Sequence, residues 1–280
     1  MNARVPAVLS IAGSDSGGGA GIQADLKAFA RCGVHGMTAI TAITAQNTVE
    51  VAMVEPVSPM MISNQVRAIV NDIEIDAVKI GMLGNAETVS SVSFAFSYLG
   101  FPPTVIDPVM VAESGAALLD DEARDLLVRL LLPRATVVTP NIPEARALAG
   151  ADEGASQEEL AREVLALGPE AVVVTGGHSE ELVDLFCDGG EAVKIPGERY
   201  PDGAAHGSGC THSSALAAHL ALGKTPLEAA RAAREIASAA VGAGLREIGH
   251  GPGPVDVFNL SGVDLGEPAS RIEDDVEPSP

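Results

Sequence analysis

The chain has 280 residues, enough for one large domain or two small ones with a well-buried core; 46% are hydrophobic but only 3% aromatic, so that core is built from Ala, Val, Leu and Ile. Acidic residues outnumber basic ones 38 to 17, a formal net charge of -21 at pH 7, and this field excludes nucleic acid and anionic membrane as partners. Three scattered cysteines (Cys32, Cys187, Cys210) with no CxxC pair exclude a zinc ribbon and a disulfide framework.

The N-terminal MNARVPAVLSIAG lacks a long apolar leader core, and no stretch reaches the roughly 18 to 20 apolar residues of a membrane helix. The expectation is a cytoplasmic protein. Only four basic residues are lysines (Lys27, Lys79, Lys194, Lys224), and such an acid-rich, lysine-poor surface suits a high-salt cytoplasm, where screening blunts self-repulsion.

In chain order, AVLSIAG, MTAITAITAQ, DAVKIGM, PTVIDPV, TVVTP and AVVVTGG read as strands. GIQADLKAFARCG, PMMISNQVRAIVND and DDEARDLLVRLLL read as helices between them. Continuous apolar strands alternating with helices predict a doubly wound α/β fold, a mostly parallel sheet flanked by helices on both faces. LVDLFCDG and GEAVKIPGE predict an antiparallel hairpin turning at Asp-Gly-Gly, and helices over about 209–222 and 226–243 close the fold. The expected organisation is one domain over 1–262, followed by an acidic tail, 263–280, expected to be disordered.

Open sheets of this type bind ligands beyond the carboxyl ends of their strands. Gly13-Ser14-Asp15, Gln46-Asn47, Gly81-Met82, Asp107-Pro108, Asn141 and Gly176-Gly177-His178 fall on those ends and define one candidate cleft. AGSDSGGGAGIQADL is a strand, a glycine loop and a helix, either an anion-tolerant approach to a ligand or a plain turn; it is not a dinucleotide fingerprint. Asp25, in the first turns of that helix, serves the ligand or complements the helix dipole. LGKT at Leu222–Thr225 lacks the first glycine of a phosphate loop, and Gly223 reads as a helix stop.

Asn141 and Glu144, three apart, either cap a helix opening at Pro143 or offer hard oxygens to magnesium, and spacing alone favours the cap. His178 has no catalytic assignment. His206, His212 and His219 share no helical face with a fourth ligand, which argues against a metal cluster. The strongest local pattern is HGSGCTHSSALAAH. Consecutive N–H groups from Gly207 to Cys210 can receive a phosphate oxyanion, and the helix start there is expected to lower the thiol pKa. The plainer alternative is a small buried cysteine.

In order, AGSDSGGGAGIQADLK, ITAITAQNT, DAVKIGML, VIDPVM, TPNIPEA, VVVTGGH, HGSGCTHSSALAAHLA and GHGPGPVDVF resemble the hydroxymethylpyrimidine/phosphomethylpyrimidine kinases of thiamine biosynthesis, a ribokinase-like branch. The resemblance runs from about Val8 to Phe258. It implies ATP and Mg²⁺ as cofactors, and two successive phosphorylations of an aminopyrimidine alcohol as the reaction. By the same likeness Gln46 would bond the pyrimidine edge, Gly13 and Asp25 would line its site, and Met82 and Val109 would pack on the ring. Asp107 and Glu144 would organise the metal, while Asn141, Thr175 and Gly177 would meet the nucleotide. Gly207, Ser208 and Gly209 would form the anion hole, with Cys210 assisting deprotonation of the alcohol. A homodimer is implied as well.

The chain departs from the family pattern at Asp15-Ser16-Gly17, at Ala205–Gly209, and at Thr175, where many members carry lysine. A pyridoxal or pyridoxine kinase is the nearest alternative, and a catalytically silent pyrimidine-binding protein is the alternative from another class.

Overall fold

In the computed structural model, residues 4–100, 102–177, 182–201 and 203–262 are described. The proposed tail, 263–280, and His178 lie outside the described residues.

Each of the six predicted strands forms: β1 (Ala7–Asp15), β2 (His35–Gln46), β4 (Ala77–Ile80), β5 (Thr104–Ile106), β6 (Val137–Val138) and β7 (Ala171–Val174). All six lie parallel, in the spatial order β2-β1-β4-β5-β6-β7. The expected hairpin, β8 (Val183–Cys187) and β9 (Val193–Pro196), adds antiparallel to β7. At the other edge a strand absent from the sequence reading, β3 (Val51–Pro56), pairs antiparallel with β2. VAMVEP escaped detection because it is mostly exposed, with Glu55 and Pro56 interrupting any apolar period.

Successive side chains on a strand face opposite ways, so each strand feeds two cores. Leu9, Ile11, Val78, Ile80, Ile106, Val138, Val172 and Val174 face one core. Against it pack α2 (Pro59–Val70), α3 (Ala86–Leu99), α4 (Asp121–Leu126), α5 (Ile142–Ala149) and α6 (Gln157–Leu165). Val8, Ala77, Val105, Val137, Ala171 and Val173 face the other, which is closed by α1 (Gly21–Arg31), α7 (Ser208–Ala221) and α8 (Pro226–Gly242). The fold is thus the expected doubly wound α/β arrangement, with helices on both faces of a mostly parallel sheet.

The predicted helix over DDEARDLLVRLLL is regular only to Leu126, continuing as a π-turn over 127–131 and a 3₁₀ turn over 132–134. Pro133 lacks an N–H and disfavours α geometry before it, which accounts for the loosened end. Gly223 follows α7 with φ +84°, the left-handed stop the sequence predicted.

Candidate active site

The parallel run of β1, β2 and β4–β7 brings their carboxyl ends, and the candidate residues that follow them, to one edge of the sheet. The glycine loop there is organised by Asp15. The N–H of Gly17 donates to Oδ1 of Asp15 (2.7 Å), and those of Gly19 (3.0 Å) and Ala20 (2.8 Å) donate to Oδ2. Burial pushes the Asp15 carboxyl up, but His206 and the N–H groups of Ala20 and Gly17 outweigh it, and the net shift is down. The loop also interlocks with the α7 loop. Gly207 has φ +83°, and a Cβ there would overlap the Gly19 carbonyl; a Cβ on Gly19 would strike the His206 ring.

At the start of α7 the anion pocket is smaller than predicted. The N–H of Ser208 donates to the Ala205 carbonyl (2.9 Å), so Ser208 cannot offer it to a ligand. Gly209 and Cys210 remain as first-turn donors, whose N–H groups have no acceptor inside the helix. The expected lowering of the Cys210 thiol is not met. Cys210 keeps some solvent contact, but enclosure pushes its pKa up to about 12, and the Lys79 ammonium offsets only part of this. Helix-end attraction is local, whereas the enclosure comes from tertiary packing, and here the enclosure wins.

Asp25 does not line the cleft, which corrects the expectation from the resemblance. Its side chain is 0% exposed, sealed beneath the floor. Lys79 Nζ, equally sealed, donates to Oδ1 (2.9 Å) and Oδ2 (3.2 Å), Ser10 Oγ to Oδ2 (2.6 Å) and Ser214 Oγ to Oδ1 (2.7 Å). Burial alone would depress the lysine, yet Asp25, Cys210 and Asp107 hold its pKa above the ordinary value. The sequence reading passed over Lys79, although a lysine inside the continuous apolar strand DAVKIGM is itself a signal, since unpaired buried lysines are very rare. Gly81 makes room for it, because a Cβ there would stand 2.7 Å from Nζ.

Asp107, at the end of β5, accepts from Ser213 Oγ (2.9 Å). Burial raises its pKa, opposed by Lys79 and Ser213. Asn141 and Glu144 form a full capping box on α5: the Glu144 N–H donates to Asn141 Oδ1 (2.9 Å) and the Asn141 N–H to Glu144 Oε2 (2.9 Å). The capping reading therefore holds. Glu144 also turns Oε1 to the Met110 N–H (3.4 Å), and burial, then Asp107, pushes its pKa to about 8.

Thr175 and Gly177 leave β7 beside this pair, and Thr175 bridges Asn141. Gly13, lacking a Cβ, leaves space for the Met82 sulfur, and Val109 is half-buried after Asp107. Gln46 takes a hydrogen bond from Thr44 Oγ1 on its Oε1 (3.3 Å). It borders a recess of about 130 Å³ with Asn47, Thr48, Glu113, Ser114 and His206. His206 is the second residue the sequence reading undervalued. Its Nε2 stands 3.2 Å from Asp15 Oδ2 and its Nδ1 3.2 Å from Glu113 Oε2. The bonds to these two acids lift its pKa to about 9.

Residues 15–256 match the family model described as phosphomethylpyrimidine kinase. The hydroxymethylpyrimidine/phosphomethylpyrimidine kinase of Rhizobium meliloti is 48% identical over 257 residues, covering 90% of this chain and 96% of that protein. The chain belongs to the phosphomethylpyrimidine kinase family.

Two solved structures place the family's fold on this chain. Phosphomethylpyrimidine kinase of Clostridium difficile superposes with a TM-score of 0.72 at 38% identity, covering 83% of this chain and 97% of that one. Pyridoxal kinase of Staphylococcus aureus, solved with pyridoxal, superposes at 0.84 with 32% identity over 93% and 96%. Among the described residues no group of three or more His, Cys, Asp or Glu side chains is arranged as a metal site. No helix of the described residues is long and apolar enough to cross a membrane.

Proposed function

We propose that the protein phosphorylates 4-amino-5-hydroxymethyl-2-methylpyrimidine to its monophosphate and then to the diphosphate, in thiamine diphosphate synthesis. What supports this reading is that the first-turn N–H groups at Gly209 and Cys210 stand near the acid pair Asp107 and Glu144, while His206, at the entry to the same helix, lines the Gln46 recess. A kinase needs a place for the transferring phosphate, acids for its cation and a pocket for the acceptor. The span 1–262 is read as one kinase domain, supported by the nine-stranded sheet that runs through it.

ATP would supply the phosphoryl group and leave as ADP, and a Mg²⁺ ion held by Asp107 and Glu144 would supply charge neutralisation. Asp107 and Glu144 fit that cation as a hard-oxygen pair: two neighbouring carboxylates, one pushed to about 8, lack a full counter-charge. Magnesium bound through one or two carboxylates, with water and phosphate completing its shell, needs no denser cluster. Asn141, Thr175 and Gly177 would meet the nucleotide, and Gly13, Gln46, Met82 and Val109 the pyrimidine. Gly207 and Gly209 shape the anion hole, and Ser208 braces it through the Ala205 carbonyl. Asp25 is a positioning residue under that floor.

Cys210 is neutral at rest, so its proposed part is to hold the alcohol oxygen in line. In a loose transition state the hydroxyl loses its proton late, after its acidity has risen, to a phosphoryl oxygen or to water, and a strong base is unnecessary. Mass analysis of products from ATP, Mg²⁺ and the alcohol tests the reading. Monophosphate followed by diphosphate is expected, and no pyrimidine-dependent consumption of ATP would overturn it. The fit to the pyridoxal kinase of S. aureus supports a second reading, phosphorylation of pyridoxal, which side-by-side turnover on the two alcohols would separate. A cytoplasmic homodimer is proposed as well. Exposed Met60, Met61 and Phe94 support an apolar contact between copies, and sedimentation would measure it.

A further inference from the structure

His206 is held by two acids that are not equivalent. Asp15 is committed, because the same carboxylate accepts from Gly17, Gly19 and Ala20 and cannot leave without dissolving the glycine loop. Glu113 is not committed. Its side chain is 33% exposed, and His206 is its one hydrogen-bond partner among the described residues. It sits at the tip of a small hairpin closed by Ala112 N–H to Ala116 O and Leu118 N–H to Met110 O, both 2.8 Å. That hairpin follows directly from Asp107 and Val109, so Glu113 reaches His206 across the mouth of the cleft.

His206 also immediately precedes Gly207, whose loop opens α7 and presents Cys210. Among the described residues it is the only cationic side chain lining the recess that holds Gln46. Of the other nearby cations, Lys79 is sealed against Asp25, and Lys27 donates to the Gly18 carbonyl (2.7 Å). With both acids on it and a pKa near 9, the imidazole is charged at neutral pH and donates from both nitrogens.

The two reactions under "Proposed function" differ most in charge. The first acceptor has a neutral hydroxymethyl group; the second carries in its place a phosphate with a charge of about -1.5 to -2. That anion must enter a mouth already holding Asp15, Asp107, Glu113 and Glu144, on a chain with a net charge of -21. It requires a cation whose present partner can step aside.

We propose that His206 is the specificity residue for the phosphorylated acceptor, and that Glu113 occupies, in the free protein, the place on Nδ1 that the acceptor's phosphate takes. The exchange replaces one anion by another on a fixed cation. Glu113, already a third exposed, returns to water, and no buried charge is left unpaired. Asp15 stays on Nε2 throughout, so the glycine loop keeps its shape while the acceptor changes.

This inference rests on the proposed pyrimidine kinase reading, and a binding measurement tests the two separately. Calorimetric Kd values for the alcohol and for its monophosphate would be compared in the wild-type protein, His206→Asn and Glu113→Gln. For His206→Asn, the monophosphate Kd is expected to rise about tenfold more than the alcohol Kd, the scale of one charge-assisted hydrogen bond. In Glu113→Gln, which removes the competing anion from a partly exposed position, the monophosphate Kd is expected to fall about threefold relative to the alcohol Kd. Equal shifts for both ligands in His206→Asn would mark the histidine as a fold element only and overturn the proposal. An unchanged Kd ratio in Glu113→Gln would overturn it too, and that variant still decides should His206→Asn fail to fold. Loss of ATP consumption in the wild type would strike the kinase reading instead, and leaves these Kd ratios interpretable.

Discussion

Two buried acid clusters lie close enough in this molecule for Asp107 to feel the charge of Asp25, and they meet opposite fates. Under the floor, Asp25 is matched by Lys79 and by the hydroxyls of Ser10 and Ser214, so every oxygen is satisfied and none faces the cleft. At the mouth, Asp107 has one hydroxyl, from Ser213, and Glu144 has only backbone donors, and both carboxyls are pushed up. The chemistry of the side chains is the same. What differs is whether the fold supplies the counter-charge or leaves it to be brought in. A balanced cluster holds the scaffold, whereas an unbalanced one stores a demand for a cation.

Breaking the balanced cluster should cost most. Lys79→Met leaves Asp25 charged and unpaired in the interior, and urea denaturation should show a loss of roughly 3–5 kcal/mol. Adding Asp25→Asn should restore part of that loss, because the stranded charge goes with it. If the two variants are merely additive, the pair is not what holds the floor.

The unbalanced cluster should respond in reverse. Asp107→Asn relieves a like-charge contact, so the melting temperature should hold or rise while turnover falls roughly 100-fold or more, the scale of one lost charge-stabilising group. Thermal melts and kcat on the same preparation would check it, and parallel loss of both would erase the distinction between clusters.

Cys210 lies between the two. Cys210→Ser should keep the fold and lose roughly 10-fold to 100-fold in turnover through misplacement of the alcohol. Alkylation of the wild-type thiol should keep accelerating with pH without levelling below about 11, given a pKa near 12. An early plateau would restore the low-pKa thiolate.

The smallest effect is in the pH dependence of stability. His206 titrates at about 9 in the folded protein against an ordinary 6.5, so its contribution is full below about 6.5 and is lost as pH rises to 9. Glu144, raised from 4.5 to about 8, is likewise worth most while protonated and loses its contribution as pH rises through 8. Melting temperature should therefore fall as pH rises, through Glu144 between about 4.5 and 8 and through His206 between about 6.5 and 9. His206→Asn should remove the second part, and Asp107→Asn should shrink the first without abolishing it, because burial is its larger cause. Unaltered profiles would detach both groups from the effect.

The strands were legible because a continuous run such as AVVV has no other use, and the Asn141–Glu144 box because capping is local. The features that escaped are those made by distance. His206 meets Asp15 and Glu113 from 191 and 93 positions away, and no spacing rule reaches that far. The error on Cys210 has the same root, since a helix start is visible in GSGC while its surroundings, Lys79 of β4, Gly21 and Asp25 of α1 and Asp107 beyond β5, come from distant parts of the chain. Lys79 was the avoidable omission, for its oddity is written in a single strand. β3 escaped for a weaker reason, because its apolar run VAMV is only four residues long and is ended at once by Glu55 and Pro56.

Helix α7 carries two adjacent hydroxyls that reach in different directions. Successive helical residues point about 100° apart, so Ser213 meets Asp107 while Ser214 meets Asp25. The helix is keyed into the sheet in two slots, and a slip of one residue would pull both keys at once. It can neither roll nor slide. The wall that bears Gly209 and Cys210 is thus an anvil, and any opening or closing during a catalytic cycle must come from the strand-end loops moving against it.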